Sequence, residues 1–251
     1  MFRAQKTVAA AAAASKLALR RLARPAGTFD ASRYFRGDHK LGFYNTGTKP
    51  MRALARDIYL AQRDRWDVRD ATMFAQLMMP DRHLETKAVG LEVLARFRRD
   101  FTPPLLARCR RWLANNYSAN WATTDEMCGV IVGPLLVKHP ALMPHMRGWA
   151  RHRNMWVRRA SIVGLLPVVR RGDANAAVDV IYEIADRLHP DPNDLIHKAV
   201  GWALREAGKI DSVRLERYLR INVAEIPRTT FRYAIERFDP KKRAQLLSIR
   251  R

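Results

Sequence analysis

This sequence predicts an all-α fold, a superhelical solenoid of two-helix repeats, on three observations. Beyond residue 50 apolar side chains recur at the helical period almost throughout, with no sustained alternation of the kind a half-buried strand requires. Pro103, Pro104, Pro140, Pro190, Pro192 and Pro227 fall at the joints between periodic segments, where a missing N–H and a fixed φ end a helix. Related strings also return: KAVGLEVLARFRR from Lys87, RRASIVGLLPVVRR from Arg158 and KAVGWALREAGK from Lys198. Aligning Lys87, Thr123, Arg159 and Lys198 gives steps of 36, 36 and 39 residues, a solenoid spacing. Convergent amphipathic composition would also produce short matches, but several agreeing steps favour the solenoid over a closed bundle. Such stacks curve, and their inner helices line a concave groove suited to a long ligand.

Taken in order, residues 1–24 are alanine-rich, carry Arg3, Lys6, Lys16, Arg20, Arg21 and Arg24, and contain no acid. They read as a basic first helix ended by Pro25 and Gly27. The composition also fits an organellar transit peptide, while VAAAAAA is too short an apolar core for a secretory signal. Residues 30–50, rich in aromatics, glycine and cations without a period, read as a loop with a short turn of helix. Residues 1–27 are therefore set apart as a basic segment, and 28–251 as the repeat domain. Helices are expected at 51–64, 68–78, 83–99, 104–115, 120–138, 140–151, 154–171, 174–188, 194–207, 212–223 and 227–238.

The charge narrows the partner. Lys and Arg number 46 against 24 Asp and Glu, a formal net charge of +22 spread along the chain, which points to a polyanion; an anionic membrane surface is the competing reading. No apolar run approaches bilayer length. Cys109 and Cys128 lack metal-ligand or paired spacing and suit a reducing compartment. His139, His145 and His152 form no metal spacing, and a Walker loop, HExxH and nucleophile elbow are all missing. Neither a metal nor a cofactor is expected.

The residues that stand out lie off the apolar stripes. In the helix at 120–138, Asn120 or a Thr123/Glu126 capping box can start the helix, and Met127, Val130, Ile131, Pro134 and Leu135 define its buried face. At about 100° per residue, Trp121 and Asp125 fall well outside that face. Four residues apart, they set a flat ring beside a carboxylate, with Cys128 and Gly129 leaving space for a flat, cationic ligand. The plainer alternative is that Asp125 complements the helix N-terminus and Trp121 packs on a neighbour. In the helix at 194–207, Ile196, Ala199, Val200, Ala203, Leu204 and Ala207 make the apolar face, while Trp202 points away, flanked by Lys198 and Arg205. Rings interleaved with cations suit sugar and phosphate contacts; packing against the next repeat is the alternative. Arg158 and Arg159 lie near a helix N-terminus, where a bound phosphate would favour them and an interhelix bridge to an acid would serve equally.

With these residues in view, the chain resembles the AlkD-like DNA alkylation repair glycosylases, built from HEAT-like repeats. The resemblance runs from about Tyr34 to Phe238, through YFRGDHKLGFYNTGTKPMRALARDI, NWATTDEMCG, VKHPAL, NMWVRRASIVGLL, LIHKAVGWALREAGK and IPRTTFRYAIERF. It implies that Asp125 is the catalytic carboxylate, that Trp121 and Trp202 wall the damaged nucleotide, and that Arg159 contacts the DNA backbone. It also implies removal of N3- and N7-alkylated purines from double-stranded DNA without base flipping, by a cytoplasmic monomer that needs no cofactor. The loop from Gly37 to Gly47 and the alanine-rich start depart from the family pattern, so no site residue is taken from them. Relatives that bind branched or damaged DNA without catalysis supply the alternative; a scaffold for an acidic protein is a third reading.

Overall fold

The computed structural model describes residues 2–27, 35 and 41–249, and only the backbone of residues 2–7. Its regular elements there are all helical, beyond one isolated bridge between Gly42 and His83. The chain forms two compact units, Met1–Ile131 and Val132–Arg251.

The first unit contains α1 (Phe2–Arg21), α2 (Thr48–Gln62), α3 (Val68–Met78), α4 (Leu84–Ala95), α5 (Pro104–Ala114) and α6 (Trp121–Met127). The alanine-rich start is helical, as its composition predicts, and ends before Pro25. Val8, Ala12, Ser15 and Leu19 repeat along one face of α1 and are buried, chiefly against α3. The loop expected at 30–50 lies, up to residue 40 and apart from Phe35, outside the described residues; α2 already begins at Thr48. Helix α3 has the predicted bounds because Asp67 closes a capping box: its carboxylate accepts from the Arg69 and Asp70 N–H groups at 2.7 and 3.0 Å. Helix α4 is buried almost all round and packs on α2, α3 and α6. It stops at Ala95, short of the expected residue 99, and a 3₁₀ turn, Arg98–Asp100, follows.

The second unit contains α7 (Gly133–Lys138), α8 (His145–Trp149), α9 (Met155–Val163), α10 (Leu166–Arg171), α11 (Ala174–Leu188), α12 (Asp194–Ala207), α13 (Ser212–Ile221), α14 (Arg228–Ala234) and α15 (Pro240–Leu247). Helices α11 and α12 match expectation, and all six apolar positions assigned to α12 are buried. The single helix expected at 154–171 is instead α9 and α10, broken at Gly164–Leu165, since Pro167 has no N–H to offer the Val163 carbonyl. The segment 140–151 is a 3₁₀ turn, Pro140–Leu142, followed by α8. Helix α15 was not expected: its cations conceal a core contribution of one residue, Leu246.

The repeat alignment has structural content. Lys87, Thr123 and Arg159 are all buried near the starts of their helices, and Lys198 is half-buried. Close helix contact also requires small residues. A Cβ on Gly201 of α12 would stand 2.6 Å from the Thr230 carbonyl oxygen and 2.5 Å from Tyr233 Cβ, both on α14. Alanine ordinarily stabilises a helix interior by up to about 1 kcal/mol over glycine. Here the contact includes backbone that cannot swing aside, so Gly201→Ala should destabilise the protein by about 1–3 kcal/mol, read from the denaturant midpoint. An unchanged midpoint would refute the packing argument.

Candidate nucleic-acid site

Helix α6 is started by Asn120, whose buried side chain accepts from the Thr123 N–H at 2.8 Å. Thr124 donates to the Ser118 carbonyl at 3.3 Å and fastens the preceding turn. The Thr123/Glu126 box is therefore not the cap. The helix continues into a π turn, Cys128–Val132, and then α7, so the span expected at 120–138 is helical throughout. Pro134 explains the π turn: it has no N–H for the Val130 carbonyl, and a wider turn relieves the mismatch. The extra residue shifts the buried stripe to Met127, Cys128, Ile131, Val132, Leu135 and Leu136, leaving Val130 and Pro134 half-exposed. Cys128 consequently belongs to the core, and the open space one turn beyond Asp125 is made by Gly129, whose Cβ position meets no atom within 4 Å.

Trp121 and Asp125 sit one turn apart on α6, both half-buried. The Trp121 ring stacks on Phe35, with centroids 5.5 Å apart and planes at 20°, and Phe35 in turn meets Phe43 at 5.4 Å. These rings border a cavity of about 620 Å³ within the first unit, between the 43–52 segment, α4 and α6. Its polar lining includes Arg52, Glu85, Glu92 and Glu126. Glu85 is engaged: both carboxylate oxygens accept from the Tyr44 N–H, at 3.1 and 3.0 Å, which holds the loop carrying Phe43 on the first turn of α4. Glu92 accepts from Arg52 Nε at 3.0 Å.

Glu126 has no hydrogen bond or ion pair among the described residues. Burial, and then the charge of Glu92, push its carboxyl up to about 7, against an opposing pull from Arg52. Sequence reasoning missed this group, having assigned Glu126 only to a capping box; the cavity is assembled from residues some 40–80 positions apart in the chain. With its folded value above the ordinary carboxylate value of 4.5, Glu126 binds its proton more tightly in the folded state. That contribution to stability is full below the ordinary value and is lost as pH rises through about 7. Glu126→Gln should therefore raise the Tm, with the gain over the parent widening between pH 5 and pH 8; a gap independent of pH would contradict the assignment.

The second unit carries the other sequence-predicted residues. Arg158 bridges to an acid in the connection between α11 and α12: Nε donates to Asp191 Oδ2 at 2.6 Å, while Nη1 donates to the His152 and Arg153 carbonyls at 3.0 and 2.9 Å. Arg159 is buried and donates to the Leu195 carbonyl at the start of α12. Lys198 pairs with Asp194 at 2.7 Å, Arg205 bonds Glu236, and Trp202 is half-buried on α12. The Asp191 carboxylate is only 4% exposed, so Arg158→Ala would strand a buried charge. It should cost about 3 kcal/mol in chemical denaturation. A loss below about 1 kcal/mol would place the bridge among weak surface pairs.

Among the described residues no group of three or more His, Cys, Asp or Glu could hold a metal ion, and no single helix is long and apolar enough to cross a membrane. The fold defines an all-α helical-repeat protein. The DNA alkylation repair enzymes match residues 15–238, and the chain belongs to that family. Solved structures agree in fold. A predicted DNA alkylation repair enzyme from Enterococcus faecalis superposes with a TM-score of 0.67 at 16% identity, covering 84% of this chain and 93% of its own. AlkD2 from Streptococcus mutans gives 0.56 at 18% identity, over 77% and 91%. The smu.31 protein of Streptococcus mutans UA159 gives 0.56 at 18%, over 76% and 98%. Comparison with curated proteins finds no match.

Proposed function

We propose that this protein is a DNA glycosylase that hydrolyses the N-glycosidic bond of cationic N3- and N7-alkylated purines in duplex DNA, without extruding the nucleotide. The observation that carries the reading is the Trp121–Asp125 pair, a ring and a carboxylate one turn apart on a helix whose start is anchored by buried Asn120. Membership in the DNA alkylation repair family supports it.

An alkylated purine carries positive charge into the reaction and departs neutral, so little assistance is needed at the leaving group. Charge develops instead at C1′, which acquires oxocarbenium character. The Asp125 carboxylate stabilises that charge and positions the attacking water. Trp121 and Trp202 each offer a ring face, which attracts the positive charge of the alkylated base. Arg159 meets the DNA backbone, its guanidinium oriented by the Leu195 carbonyl, and Lys198 and Arg205 add to the cationic surface; Arg158 does not, because Asp191 and two carbonyls already take its donors. The net charge of +22 favours salt-dependent association with the duplex. The scheme calls for neither metal nor cofactor and needs one copy of the chain, acting in the cytoplasm.

Release of 7-methylguanine and 3-methyladenine from methylated duplex DNA tests the reading. Asp125→Asn should lower release by about a hundredfold or more without weakening duplex binding. Equal release by the variant and the parent would overturn the role given to Asp125. A folded parent that binds duplex but frees no base would instead identify a non-catalytic protein that recognises DNA structure.

A further inference from the structure

The cavity beside Trp121 shares only that ring with the chemistry just described, and it has the composition of a ligand site. Its volume of about 620 Å³ is several times that of a purine base and typical of small-molecule pockets. The Phe35, Phe43 and Trp121 rings form one wall, with successive centroids 5.4 and 5.5 Å apart. Glu126 lines the cavity from α6, one residue beyond Asp125, and Ala122 lines it from the same helix. The other two carboxylates are occupied, Glu85 by the Tyr44 N–H and Glu92 by Arg52.

Glu126 is half-buried, and its unengaged carboxyl, which lines the cavity, has two acceptor oxygens to offer. A ligand that satisfies it must be flat enough for the aromatic wall and present adjacent N–H donors on one edge. Guanine-type bases do so, because ring N1–H and the exocyclic amine point the same way and match a carboxylate's two oxygens. Adenine-type bases place one exocyclic amine beside a ring acceptor, which faces the second oxygen unfavourably. Two donors on such a base would satisfy both oxygens of the Glu126 carboxylate, the form that burial and the Glu92 charge otherwise disfavour.

We propose that this cavity is a nucleobase pocket that retains the guanine-type base freed in the reaction, with the Phe43 and Trp121 rings against its face and Glu126 on its donor edge. The identity of the ligand rests on the glycosylase reading; the pocket itself rests on the cavity, the ring wall and the unengaged carboxyl. The pocket takes the base after the bond has broken, so it requires no extrusion of the intact nucleotide. It makes guanine-type products bind, and inhibit further turnover, more strongly than adenine-type products.

Equilibrium dialysis of the full chain against radiolabelled 7-methylguanine, with adenine as the comparison base, tests the pocket separately from catalysis. The parent should retain 7-methylguanine at least about tenfold more tightly than adenine. Glu126→Gln should lose about tenfold of that affinity, as expected for a charge-assisted pair. Phe43→Ala, which removes a wall without touching the carboxylates, should also weaken it. Asp125→Asn should retain the base as the parent does, although its release assay fails. A folded parent that holds no base at millimolar concentration, or a Glu126→Gln protein that holds it equally well, overturns the pocket even if release from methylated DNA is intact. Retention by a parent that frees no base from DNA would uphold the pocket and sink the glycosylase reading.

Discussion

The buried ammonium of Lys87 is the constraint on which the first unit depends. It lies inside α4 and donates to the Met79 carbonyl at 2.9 Å and to the Tyr117 carbonyl at 2.7 Å. A buried cation without acceptors would cost several kcal/mol, so these carbonyls are obligatory partners. Met79 closes the C-terminus of α3, where the helix dipole favours a cation; Tyr117 lies in the turn that leads into α6. One side chain thus locks three elements together. The turn it holds supplies Ser118 to Thr124 and Asn120 to the Thr123 N–H, and the first residue past the cap is Trp121.

The second unit uses the same device. Arg159 donates to the Leu195 carbonyl, and the buried Thr230 hydroxyl donates to the His197 carbonyl at 3.0 Å. Polar side chains on backbone carbonyls complement the apolar contacts between successive helices. They also specify register, since a carbonyl has one position whereas an apolar surface tolerates sliding.

Around α6 the local rules are broken in concert. Pro134 forces a π turn into the helix, Gly129 leaves a gap, and Glu126 is held beside another carboxylate with no partner of its own. Each feature costs stability, whereas Asp67 caps α3 and Glu85 takes the Tyr44 N–H.

The sequence by itself determined the class of the fold, because helical period and proline position are local properties. It placed α3, α11 and α12 at their observed bounds, since Asp67 and the runs inside α11 and α12 act over a few residues. It also singled out Trp121 and Asp125, which share a helix face at any four-residue spacing. What it did not contain was the break ahead of Pro167, the π turn ahead of Pro134, or the partners of the cations. Arg158 could have met a phosphate or an acid, and only the approach of Asp191 from a distant stretch decided for the acid. The cavity beside Trp121 was equally invisible, because it is shared among a loop and three helices whose juxtaposition is a tertiary event. Periodicity reports which face of a helix is buried; which polar groups face each other across the gap depends on how neighbouring helices dock.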